Sequence, residues 1–265
     1  MDSYPVDVTD ETRKNCAELA RLERPGVRLF EDRFDGDLKA YFEIRGLKEG
    51  KVKIEDGALR VTSTANAGRE SGAGVSYWFG DRAQDRVYLR YRMKFAPDYD
   101  QGNLNHTGGG LSAVSGDNKW QGMGTAGQKP KGDDHLSSRF ETWRDYGRHP
   151  SPGYLFCYVY WMDMRRDRDG NYWGNLLAPA ERIVPKRGQW HWMEQMIGLN
   201  KPGEADGELA AWVDGRLYLH FKGFRWRSSP AVRLKRFGLD AYVHRAQQDN
   251  TVWFDDVVLS TGYVG

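Results

Sequence analysis

Arg139, Tyr158 and Tyr160 stand at alternate positions of two short runs, and the chemistry this sequence offers begins with them. In an extended strand, side chains two residues apart share a face. Over 136–144 that rule puts Ser137, Arg139, Glu141 and Trp143 on one side, with Leu136, Phe140 and Thr142 opposite. Over 154–162 it puts Tyr154, Phe156, Tyr158 and Tyr160 on one side, and Leu155, Cys157, Val159 and Trp161 on a core-facing side. A turn near Pro150 and Gly153 makes the two runs hairpin neighbours, so that Arg139 lies beside both tyrosines on a polar face. Such a trio suits β-elimination in a uronate chain. That reaction needs a group to neutralise the C6 carboxylate, a base for the C5 proton and an acid for the leaving O4. Arginine or a side-chain amide serves the first need, and tyrosine or histidine the other two. A free tyrosine has a pKa of about 10, and a nearby guanidinium lowers it. The same spacing also fits plain strand aromatics with Arg139 paired to Glu141.

Other residues are candidates by type. His106 is a candidate base, since an unperturbed histidine titrates near neutrality; the alternative is an idle, exposed loop residue. His191 and Gln195 alternate along 190–199, and Asp240, Tyr242 and His244 along 233–243; either set lines the groove if its face is the open one.

These residues must be held by β-structure. From Val27 onward, short alternating apolar runs are separated by Gly, Asp, Asn and Pro. In Arg86–Phe95, Val87, Leu89, Tyr91, Met93 and Phe95 face one way, and Tyr88, Arg90, Arg92 and Lys94 the other. Further strands are predicted at 40–45, 51–55, 58–63, 74–79, 136–144, 154–162, 190–199, 208–213, 216–222, 233–243 and 252–260. Asp214-Gly215 marks a hairpin. Roughly a dozen strands at this spacing predict an all-β, two-sheet sandwich. Stretches 97–133 and 163–188 are predicted as long loops on the groove rim. Residues 1–26 are predicted as an N-terminal extension, with a short helix from Glu11 to about Arg24 and a stop at Pro25-Gly26. Residues 27–265 form the single main domain.

Composition agrees. The chain of 265 residues carries 10 Trp, 14 Tyr and 11 Phe, and aromatic rings serve both β-cores and sugar stacking. Net charge is +2 from 39 basic and 37 acidic residues, with no basic run of the kind nucleic-acid binders carry. No apolar stretch reaches the ~20 residues of a membrane span. Cys16 and Cys157 have no metal-type spacing and are predicted to be free thiols.

Several stretches resemble the alginate and glucuronan lyase-like proteins of polysaccharide lyase family 14: RYRMKFAPDYDQGNLNHTGGG, SSRFETWR, CYVYW, QWHWMEQMIGLNKPGEADGELAAWVDGRL and NTVWFDDVVLSTGYVG, spanning roughly 86–265. The resemblance implies a β-jelly-roll of the concanavalin type that cleaves an acidic polysaccharide by β-elimination. It marks Ser137, Arg139, Tyr158 and Tyr160 as site residues. Asn103 stands where the family's Gly-Gly-Lys segment has its lysine. Asparagine hydrogen-bonds a carboxylate but brings no charge, so His106 or Lys94 compensates, the polymer differs, or catalysis is lost. With Arg139, Tyr158, Tyr160 and His106 as the catalytic set, the predicted substrate contacts are Asn103, Ser137, Glu141, Trp143, Tyr154, His191, Gln195 and Tyr242. No cofactor is required; by resemblance to other jelly rolls, Asp255-Asp256 with Glu31-Asp32 offers a structural calcium site. The expected partner is an acidic polysaccharide, with no nucleic acid or membrane, and the chain is expected to be a monomer. The resemblance places it outside the cytoplasm, secreted or periplasmic, although Met1–Pro5 lacks the basic start and apolar run of a signal peptide.

Two rivals share the fold. A glycoside hydrolase needs two carboxylates flanking the bond, and only Glu141 and Glu194 offer a pair. A non-catalytic carbohydrate-binding module would use the same aromatic, basic groove.

Overall fold

β6 (Arg86–Phe95) shows how the alternation becomes structure. Val87, Leu89, Tyr91, Met93 and Phe95 point between two sheets and are at most 2% exposed, whereas Arg90, Arg92 and Lys94 take the outward side. Burying such side chains is worth roughly 1.5–3 kcal/mol each before entropy is counted. The computed structural model describes residues 26–102 and 105–265. The helix predicted over 11–24, Cys16 and Asn103 lie outside them.

With strands numbered in chain order, the first sheet runs β13 (Arg216–Phe224), β12 (Gly207–Val213), β11 (Trp190–Gly198), β6, β15 (Asn250–Ser260), β4 (Ala58–Ser63) and β3 (Val52–Glu55). β1 (Arg28–Asp32) also pairs with β15, making this sheet eight-stranded. The seven-stranded second sheet runs β10 (Asn175–Leu177), β9 (Tyr154–Tyr160), β8 (His135–Trp143), β7 (Asn105–Val114), β14 (Arg233–Val243), β5 (Ala73–Trp78) and β2 (Glu43–Arg45). Neighbours are antiparallel, and the central pairings β6–β11, β6–β15 and β7–β14 join strands distant in sequence, as in a jelly-roll sandwich. Phe140, Leu155, Val159, Phe237 and Leu239 close the core from the second sheet.

The predicted loops need correction. Stretch 97–133 contains β7, a central strand, and 163–188 contains β10; β1 was also left out of the alternation. β7 reads as a loop because Gly108-Gly109-Gly110 has low strand propensity. The glycines are there for space. A Cβ on Gly109 would lie 2.4 Å from the Tyr91 ring below, and one on Gly110 2.8 Å from Arg139 Cγ above. Tyr91 fills the core side of this gap, and its hydroxyl accepts the Gly109 N–H at 2.8 Å.

Candidate active site

Register brings four strands to one point on the outward face of the second sheet. Arg139 lies opposite Gly110 and Tyr158, while Glu141 and Asp240 both lie opposite Gly108. Arg139 sits over the side-chain-free β7. Its Nη1 donates to Asp240 Oδ2 at 2.8 Å, its Nε to Glu141 Oε2 at 3.2 Å and its Nη2 to the Gly108 carbonyl at 3.1 Å. Burial works against its charge, but Asp240 and then Glu141 outweigh it and hold the guanidinium pKa above the ordinary arginine value. Arg139 is therefore matched by two carboxylates before any ligand arrives.

Glu141 is the hub of this network. Its side chain has no exposed surface, and its second oxygen meets His106 Nδ1 at 2.9 Å. A carboxylate on Nδ1 selects the tautomer that leaves Nε2 unprotonated. His106 Nε2 has no hydrogen-bond partner among the described residues, and the ring borders the cavity. The sequence offered His106 as a loop residue; it is a strand residue with a buried orienting carboxylate.

The His106 ring lies 4.9 Å from that of Tyr158, which lies 5.6 Å from that of Tyr160. Two loops cover the tyrosines. Gly174 N–H donates to the Tyr158 hydroxyl at 2.9 Å, and Gly127 N–H to the Tyr160 hydroxyl at 3.4 Å. Gly127 also bridges to Tyr172, tying the loops together. Arg139, expected to lower the Tyr158 pKa, is not among the groups that shift it. Burial, then the neighbouring Tyr160, push that phenol well above its ordinary value, and only the Gly174 N–H pulls it back. Arg139 directs its charge to its carboxylates instead.

The network opens into a cavity of about 430 Å³, bordered by Ser137, Arg139, His106, Arg236, Asp240 and Tyr242 among others. A neighbouring cavity of about 190 Å³ reaches Tyr160, Ser137 and His135. Tyr242 stacks on His106 at 6.1 Å and 11°, and its hydroxyl meets His244 Nδ1 at 3.0 Å. Sequence reasoning missed Arg236 and the β2 pair Glu43 and Arg45, which also border the cavity. A signal for Arg236 existed, because it has the same parity on β14 as Asp240 and Tyr242.

Other predicted contacts lie elsewhere. Gln195 is fully buried between the sheets, where its amide donates to Ser138 Oγ, because its parity on β11 points it to the core. His191 is on the first sheet and is held by Asp214 Oδ2 at 3.0 Å and by the Lys186 N–H at 3.1 Å. Tyr154 keeps the predicted face but is 5% exposed, with Arg182 over its ring at 4.5 Å and Trp143 packed at 5.9 Å, so the pair supports the sheet end. Glu141 is sealed beneath Arg139 and His106 and positions them; it does not face a ligand. Lys94 lies on the outward face of the first sheet over Trp190 and Trp253, too remote to replace a site lysine. Asp255 and Asp256 are both paired with Arg92, and Asp256 lies 3.8 Å from Arg33, so guanidinium groups fill the place proposed for calcium.

Comparison with known proteins agrees with the two-sheet fold. The family model described as Polysaccharide lyase 14 matches residues 51–255. The marine PL-14 alginate lyase from Aplysia kurodai superimposes with a TM-score of 0.66 at 15% identity, covering 88% of this chain and 98% of that one. Endo-β-1,4-glucuronan lyase from the fungus Trichoderma reesei gives 0.58 at 16% identity, covering 89% and 96%. The alginate lyase vAL-1 from Chlorella virus gives 0.62 at 15% identity, covering 84% and 100%. No curated protein sequence matches significantly. At these identities the superpositions establish the fold, and the family match extends over most of the chain: it belongs to the polysaccharide lyase 14 family.

Proposed function

We propose that this chain cleaves a uronate-containing polysaccharide by β-elimination in the cavity over β7, β8 and β14. The observation that carries this reading is the Glu141–His106 pair, which presents an unpartnered Nε2 to the cavity beside the Tyr158–Tyr160 pair. His106 Nε2 takes the C5 proton. The electron pair left behind forms the C4–C5 double bond as the C4–O4 bond breaks. Tyr160, with Tyr158 behind it, gives its proton to O4. Tyr158, held protonated by burial behind Tyr160, suits an acid and not a base, which divides the two roles between histidine and tyrosine. Arg139, anchored by Asp240 and Glu141, aligns the uronate, and Ser137 hydrogen-bonds a hydroxyl of the chain. Asn103 contributes a neutral amide to the carboxylate.

Alginate and glucuronan, named for the structural relatives, are the first substrates to test. Action on such polymers fits a location outside the cytoplasm. Purified protein is mixed with alginate blocks, glucuronan and acetylated or sulfated uronate polymers, and ultraviolet absorbance is followed. A rise reports the unsaturated uronate. No rise on any polymer, with the polymers still retarding the protein in affinity gels, overturns the lyase reading in favour of a binding module.

A further inference from the structure

A uronate brings one negative charge per residue into the cavity, so the cavity must present a cation that its own carboxylates leave unmatched. Three arginines border it. Arg139 is bonded to Asp240 and Glu141, and Arg45 Nη2 lies 3.7 Å from Asp240 Oδ1. Arg236 differs. No carboxylate of the described residues lies within ion-pair distance of it. Among the described residues its hydrogen bonds run from Nη1 alone, to the carbonyls of Lys119 and Gln121, the latter at 3.4 Å. Those carbonyls belong to the β7–β8 loop and fix the guanidinium against the cavity wall, leaving Nη2 and Nε without a hydrogen-bond partner among the described residues. The residue is 8% exposed. Burial lowers its pKa, Asp240 and Glu43 raise it from a distance, and Arg139 lowers it again.

We propose that Arg236 is the specificity residue that reads the uronate carboxylate, making the cavity prefer an acidic chain over its neutral counterpart. This rests on the lyase reading above. A planar guanidinium with two free donor positions matches a carboxylate in bidentate fashion. The carbonyl anchors supply the rigidity that makes the match selective. Gly238, beside Arg236 on the same face of β14, leaves room for a sugar ring over the strand. Trp120, 49% exposed, lies on the loop that carries the Lys119 and Gln121 carbonyls and packs its ring on Phe42 at 5.2 Å.

The test compares binding of alginate and glucuronan tetrasaccharides with their carboxyl-reduced forms. Calorimetry is done on full-length Tyr160→Phe protein to suppress cleavage, with and without Arg236→Gln or Arg236→Lys. Losing a charge-assisted pair lowers affinity for the acidic sugar about 10- to 100-fold. Arg236→Gln should show that loss while leaving the reduced sugar's affinity unchanged; Arg236→Lys should recover part of the preference. If the loop merely loosens, both sugars weaken together and the inference falls. It also falls if Arg236→Gln keeps the acidic preference while the unsubstituted protein cleaves uronates, an outcome that leaves the lyase reading standing. If the unsubstituted protein cleaves no uronate and the Tyr160→Phe protein prefers none, both readings fall.

Discussion

Replacing Glu141 with glutamine removes one negative charge and one acceptor from beneath the cavity. Both groups that meet Glu141, Arg139 Nε–H and His106 Nδ1–H, are donors, and the glutamine amide has a single oxygen to offer them. Arginine does not give up its proton, so the amide oxygen stays with Arg139 and the NH₂ turns toward His106. His106 then accepts at Nδ1 and carries its proton on Nε2, the tautomer that cannot take the C5 proton. Arg139 retains Asp240 Oδ2 and the Gly108 carbonyl, so its position survives. Exchanging charge-assisted for neutral bonds costs about 1–3 kcal/mol, which a sandwich of this size tolerates. Loss of a positioned base costs about 10²–10⁴ in rate. The expected result is a kcat that falls by that factor with KM nearly unchanged, followed by ultraviolet absorbance on the best polymer, and a melting temperature only a few degrees lower. A kcat within about threefold of the unsubstituted protein, in a variant that melts normally, would falsify the assignment of His106 as the base oriented by Glu141.

Tyr160→Phe should lower kcat by about 10²–10³ with little change in melting, and Tyr158→Phe should cost a similar factor plus roughly 1 kcal/mol for the lost Gly174 bond; steady-state rates and thermal melts on both variants check this. Gly174→Ala puts a Cβ 2.5 Å from the Tyr158 ring, so turnover should fall while the core melts nearly as before, and unchanged turnover would show that the loop does not position Tyr158. Gln195→Ala should leave KM unchanged and alter only stability, since its amide is spent on Ser138 between the sheets; a raised KM refutes that placement. Glu208 meets His220 Nε2 at 3.0 Å; burial alone would raise its pKa, but the His220 bond and Arg86 lower it overall below 4.5. Its contribution is present above the unfolded carboxylate value and fades as pH falls through the lower folded value. Acid melts of Glu208→Gln should therefore be flatter below about pH 4.5 than those of the unsubstituted protein.

The two strands that carry Arg139, Tyr158 and Tyr160 were legible because a period of two, once one side is apolar, assigns the other side without ambiguity. The observed register pairs Arg139 with Tyr158 and Ser137 with Tyr160, as the hairpin reading required. The same rule was silent on which sheet a strand joins. Gln195 alternates correctly with His191, yet its side of β11 is the core, and a buried amide bonded to Ser138 looks no different in sequence from one lining a groove. β7 failed for another reason. Propensity measures how well a side chain packs on a sheet, and here the missing side chains are what let Tyr91 and Arg139 approach from either side. Arg236 was readable by parity but had no partner motif to draw attention to it.

The charge balance of the cavity ties these points together. A single arginine beside two tyrosines looked sufficient in sequence, because Arg139 was pictured with its charge free for the substrate. In the fold it is held by Asp240 and Glu141, and that pairing is what a buried guanidinium requires, since an unmatched buried charge is costly. In the proposed reading the labour divides: the best-anchored arginine shapes the site, and Arg236, anchored among the described residues by carbonyls alone, has attraction left for a ligand. The same division separates the protons. In the proposed mechanism Glu141, by holding His106 at Nδ1, makes a base out of a residue in a glycine-rich strand, while burial keeps Tyr158 protonated. In this proposal the acidic, basic and charge-reading functions fall on different strands, β9, β7 and β14, and the gap left by the β7 glycines lets them meet over one sugar.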